Sequence, residues 1–96
     1  LTNSVGNSLV VDPAEFDWET DAEYQMPSWN RLVIYELHIG TFNAKEEGQP
    51  GDFYSAIERL NYLKSLGINA IEVMPIAEFP GDFSWGYNPA HPFAVE

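Results

Sequence analysis

Trp85-Gly86-Tyr87-Asn88-Pro89 brings together the side chains of this sequence best suited to hold a ligand. The rings of Trp85 and Tyr87 offer flat apolar faces with a polar edge, and the Asn88 amide offers both a donor and an acceptor. Two rings and an amide so close together point to a binding site for something flat-faced. Each residue also has a plainer role: Tyr87 as a packed loop aromatic, Asn88 as the shaper of the turn before Pro89, Trp85 as the loop's anchor. The anchor is the favoured role for Trp85, and the two roles of Asn88 are evenly supported.

His38 is the other polar side chain in an informative place, since it closes an apolar run and shares a face with Glu36 under strand alternation. Set beside His91 and Glu72 it invites a metal reading, but the three lack the tight ligand spacing that makes such a set specific. No metal site is expected. Asp12, Glu15, Asp17, Glu19, Asp21 and Glu23 form an acidic block without the Asp-x-Asp-x-Asp-Gly loop that imposes calcium coordination, and they read as a solvated face. No cofactor is implied.

The elements that must position these residues are legible as strand, helix, strand. Residues 32–42, rich in β-branched and aromatic side chains, suit a strand buried on both faces. After a polar loop, Asp52 is placed to cap a helix over residues 53–66, whose Phe53, Ile57, Leu60, Leu63 and Leu66, with Ala56 beside them, form one core-facing stripe. Gly67 closes it, and Ile68-Asn69-Ala70-Ile71-Glu72-Val73-Met74 begins a second strand. This order predicts a βαβ unit with parallel strands, and strands of that kind need cover on both faces. The stretch 75–93, rich in aromatics, Gly and Pro, then empties from the second strand as a long loop, the usual carrier of binding residues on a rigid sheet.

Composition narrows the partners. Fifteen acidic and four basic residues give a formal net charge of −11, which opposes nucleic acid phosphates and anionic membrane surfaces and favours a neutral or cationic partner. The absence of cysteine excludes a disulfide framework and thiolate metal sites. Leu1-Thr2-Asn3-Ser4-Val5-Gly6 lacks the basic start and apolar stretch of a secretory peptide, so a cytoplasmic location is expected. Ninety-six residues make at most one small domain. A start at Leu rather than Met suggests a piece of something longer. Residues 1–30 read as an extended linker held down by Phe16, Trp18, Tyr24 and Trp29.

Three segments carry a resemblance: Val33-Ile34-Tyr35-Glu36-Leu37-His38-Ile39-Gly40-Thr41-Phe42, then Tyr62-Leu63-Lys64-Ser65-Leu66-Gly67-Ile68-Asn69-Ala70-Ile71-Glu72-Val73-Met74-Pro75, then Trp85-Gly86-Tyr87-Asn88-Pro89. In this order and spacing they resemble the opening of the catalytic (β/α)8 TIM barrel of the α-amylase superfamily, glycoside hydrolase family 13. The likeness is greatest to 1,4-α-glucan branching enzymes and maltooligosyltrehalose trehalohydrolases. It implies an α/β fold in which residues 1–30 link from a preceding β-sandwich, and residues 31–96 are the first strand, helix, second strand and following loop of the barrel.

The resemblance further implies a substrate-binding role for Tyr87, stacked on the sugar beside the scissile bond, with Asn88, Trp85 and His38 as neighbours. For His38, burial within a barrel layer is the favoured alternative. The family's nucleophile, general acid and transition-state-stabilising Asp stand on later strands, so the carboxylate pair about 5–5.5 Å apart that retention requires is assigned to no residue here. The expected parent is a branching enzyme acting on α-1,4-glucan or maltooligosaccharide by retaining transfer, with the trehalohydrolase or an α-amylase as the alternative, and the isolated chain is expected to be inactive. Two expectations of other classes stand beside it. A stand-alone glucan-binding module would bind maltooligosaccharides by itself, and a truncated unit would self-associate through its open strand edges.

Overall fold

The computed structural model describes residues 9–81 and 84–96. Leu1–Gly6, the stretch without a targeting signal, and Asp82 and Phe83 of the long loop lie outside the described residues.

Two strands, β1 (Ile34–Leu37) and β2 (Ala70–Val73), pair in parallel from Ile34 opposite Ala70 to Leu37 opposite Val73. Parallel neighbours require a crossover, and here it is made by three short helices, α1 (Ile39–Phe42), α2 (Phe53–Ile57) and α3 (Leu60–Ser65). Asn69 ties the start of both strands together. Its Oδ1 accepts from the Val33 N–H at 2.7 Å, and its Nδ2 donates to the Arg31 carbonyl at 2.9 Å. Two more strands, β3 (Ala77–Glu78) and β4 (His91–Val95), pair antiparallel in a second small sheet.

Several expectations hold in detail. Asp52 is the N-cap of α2, where its carboxylate accepts the Ser55 N–H at 2.7 Å while the Ser55 hydroxyl accepts the Asp52 N–H at 2.9 Å, a reciprocal capping box. Gly67 ends α3 at φ +87°, with its own N–H donating to the Lys64 carbonyl and the Ile68 N–H to the Leu63 carbonyl, the paired bonds of a Schellman motif.

Other expectations are corrected. The first strand is shorter than 32–42, because the chain turns at His38 and the Thr41 and Phe42 amides return to the His38 carbonyl, making α1. The stripe of residues 53–66 is split between α2 and α3, with Arg59 at φ −100°, ψ 0° breaking the regular helix. Within that stripe only Ala56 and Leu63 are buried, while Phe53, Ile57, Leu60 and Leu66 are exposed. Nor is β1 covered on both faces, since Ile34 and Tyr35 lie open. The segment before β1 is not held down by its rings. Phe16, Trp18, Tyr24 and Trp29 are exposed, and the segment folds instead into 3-10 turns at Pro13–Glu15, Asp21–Glu23 and Trp29–Arg31. Phe16 and Trp18 meet edge to face with centroids 4.8 Å apart.

The core is correspondingly small: among the described residues Leu37, Ala56, Leu63 and Phe79 are the buried apolar side chains, with Leu63 only 2% exposed. Among the described residues no helix is long and apolar enough to cross a membrane.

The capping box makes a pH-dependent prediction. Hydrogen bonding from the Ser55 amide holds the Asp52 carboxyl below its ordinary value of 3.8. A carboxyl so lowered contributes stability that is present above the ordinary value and lost as the pH falls through the value in the fold. Asp52→Asn keeps a good cap without the charge. Amide exchange across residues 52–58 of the full-length protein is therefore expected to be slower in the parent than in Asp52→Asn at neutral pH, and equal in the two under strongly acidic conditions.

Candidate functional site

Parallel pairing puts the C-terminal ends of β1 and β2 on one edge. The Met74 N–H donates to the Leu37 carbonyl at 2.9 Å, carrying the ladder one step past β2, so that His38 and Pro75 leave the sheet side by side. The chain after Pro75 is then drawn into a closed loop by the second sheet. The Ala90 N–H donates to the Glu78 carbonyl at 2.7 Å, and the Glu96 N–H to the Ile76 carbonyl at 2.9 Å. The long loop expected over 75–93 contains a β3–β4 hairpin with an elaborated turn.

Gly86 fixes where that turn sits. It is buried, has φ +84°, and packs so close to Pro75 that a Cβ on it would lie 2.2 Å from the Pro75 carbonyl oxygen. Only glycine meets both requirements. On either side of this contact the rings of Trp85 and Tyr87 stand 75% and 66% exposed. Neither ring is packed into the loop in this structure, and the close approach to Pro75 is made by the Gly86 backbone.

Asn88 is also exposed, and its Oδ1 accepts a hydrogen bond from the Ser84 hydroxyl. Ser84 Oγ in turn accepts the Gly86 N–H at 3.0 Å. Sequence reasoning missed Ser84; the signal available was the Ser-x-Gly-x-Asn spacing around a glycine already singled out. The turn so built presents two apolar ring faces and one amide on a fixed backbone, which is the equipment of a binding surface.

His38 stands at the same strand edge as N-cap of α1, half-buried, with Nδ1 enclosed and lacking a hydrogen-bond partner. Its ring lies by Gly40, where a Cβ would come within 3.1 Å of His38 Cε1. Among the described residues no hydrogen bond or ring contact joins it to residues 85–88, whose Trp85, Tyr87 and Asn88 share one turn. His91 lies in β4 and Glu72 in β2, and among the described residues no three His, Cys, Asp or Glu side chains gather as a metal site.

Comparison with known proteins bears on what this surface serves. No family model matches the chain. A malto-oligosyltrehalose trehalohydrolase of Saccharolobus solfataricus is 45% identical over 91 residues, which is 95% of this chain and 15% of that protein. A 1,4-alpha-glucan branching enzyme of Picrophilus torridus is 37% identical over 91 residues, covering 91% of this chain and 12% of that protein. A solved structure from Salmonella typhimurium, assigned as an α-amylase, superposes with a TM-score of 0.76 at 40% identity over 90% of this chain and 14% of that one. The chain belongs to the α-amylase superfamily, glycoside hydrolase family 13. It spans only about one seventh of the length of the family members it matches. The likeness includes a solved structure at substantial identity, so the fold is shared over 90% of this chain.

Two glycines separate the conformational effect from the steric one. Gly67→Ala meets nothing within 4 Å and suffers only its left-handed backbone, a cost of about 1 kcal/mol. Gly86→Ala must also displace Pro75. Thermal unfolding is expected to shift little for Gly67→Ala, while limited proteolysis within residues 79–90 becomes markedly faster for Gly86→Ala alone.

Proposed function

We propose that this chain is part of an enzyme acting on α-1,4-linked glucan, and that its 85–88 turn lines the glucan site. The observation that carries the reading is the exposure of Tyr87 and Trp85 on a turn locked to Pro75 at the C-terminal edge of a parallel sheet. In α/β barrels ligands sit at that edge. An aromatic face complements the C–H face of a pyranose and sheds water on contact, and Asn88 adds polar recognition. A glucan is neutral, so the formal charge of −11 does not oppose it.

In this reading residues 31–96 open the (β/α)8 barrel, and the turns before β1 connect it to a preceding β-sandwich. The bond-breaking carboxylates are supplied by later strands, so the residues present here bind and orient rather than transfer a proton. The finer activity lies between formation of α-1,6 branches and hydrolysis that releases trehalose. Relatives bearing each name support one of the two, and acceptor choice between a sugar hydroxyl and water resides in loops other than this one.

The full-length protein, incubated with amylose and with maltooligosyltrehalose, decides. New α-1,6 linkages identify the branching activity, and free trehalose identifies the hydrolase. Absence of turnover on both, and on maltooligosaccharides, overturns the proposal. Tyr87→Ala is expected to weaken maltooligosaccharide binding about tenfold, the worth of one stacked aromatic contact.

A further inference from the structure

The 84–88 turn contains a polar pair whose arrangement goes further than the stacking surface. Ser84 Oγ is held by the Gly86 N–H at 3.0 Å, and its own proton goes to Asn88 Oδ1. A serine hydroxyl has one proton to give, so this places Ser84 as acceptor toward the backbone and donor toward the amide. The Asn88 side chain is thereby fixed by its oxygen. Its Nδ2 carries the remaining donors, and no hydrogen bond occupies them among the described residues. Gly86 is the residue locked on Pro75, so the relay runs from the strand edge through one backbone amide and one hydroxyl to an exposed NH2.

We propose that Ser84 is a positioning residue that sets the rotation of the Asn88 amide, so that the turn presents a hydrogen-bond donor, and not an acceptor, to a hydroxyl oxygen of the bound sugar. The inference rests on the reading that this turn binds glucan. It assigns to Asn88 a single polarity, and to Ser84 an effect exerted through Asn88. A fixed amide keeps the loss of side-chain freedom out of the binding step, which is how a lone surface hydrogen bond comes to matter.

The test uses the full-length protein and intrinsic tryptophan fluorescence on titration with maltoheptaose. Ser84→Ala is expected to weaken binding about fivefold, the effect of one hydrogen bond, and Ser84→Thr, which keeps the hydroxyl, to restore it. Asn88→Asp accepts the same bond from Ser84 but offers no outward donor, and is expected to weaken binding at least as much. The double variant Ser84→Ala/Asn88→Ala is expected to be no weaker than Asn88→Ala alone, because both changes remove one contact. Additive losses overturn the proposal, and parent-like binding by Asn88→Asp overturns it even if Ser84→Ala fails to fold. If Tyr87→Ala weakens binding while Ser84→Ala and Asn88→Asp do not, the positioning role fails and the glucan site stands. If Tyr87→Ala also binds like the parent, both fail.

Discussion

Four rungs of parallel pairing, Ile34 with Ala70 through Leu37 with Val73, are the constraint from which the rest of the arrangement follows. Parallel strands cannot be joined by a tight turn, so the chain must leave one end of the sheet and return to the other. That return is the run of short helices closed by the Gly67 motif, and its far end is held by Asn69, which reaches the backbone of both Arg31 and Val33. The same pairing brings the exits of both strands together. His38 and Pro75 share an edge because Leu37 and Val73 share a rung, and Gly86 finds Pro75 there to pack on.

How far this was legible in the sequence depends on the range of the interactions involved. Asp52 caps α2 through a bond three residues away, and Gly67 closes α3 through its own backbone, so both are legible as local chemistry, while the reciprocal bond to the Ser55 hydroxyl is not. The turn at His38 was not, because Ile39 and Phe42 continue the apolar run and nothing in residue type distinguishes strand from helical turn there. The break at Glu58 and Arg59 was hidden for a similar reason, both being good helix formers. Asn69 acts across 36 and 38 positions, a distance no local pattern reports. The rings before β1 misled because large aromatics imply burial only when there is something to be buried against.

The site follows the same division. Trp85, Tyr87 and Asn88 were found because aromatic and amide side chains announce themselves by type. Ser84 was passed over because a serine near glycines is ordinary turn material, and its place shows only once its hydroxyl is seen between the Gly86 amide and the Asn88 oxygen. Tyr87 stands exposed in this structure and does not fill the loop interior. What remains is a surface that a rigid backbone contact holds open, in a chain that belongs to a family of glycoside hydrolases.

If the turn locked on Pro75 is where glucan binds, a crystal structure of the full-length protein with a bound maltooligosaccharide shows it. The prediction is a glucose ring lying in van der Waals contact on the face of Tyr87, with a hydroxyl oxygen within hydrogen-bonding distance of Asn88 Nδ2. A saccharide bound elsewhere, with Tyr87 and Asn88 facing only solvent, would contradict it.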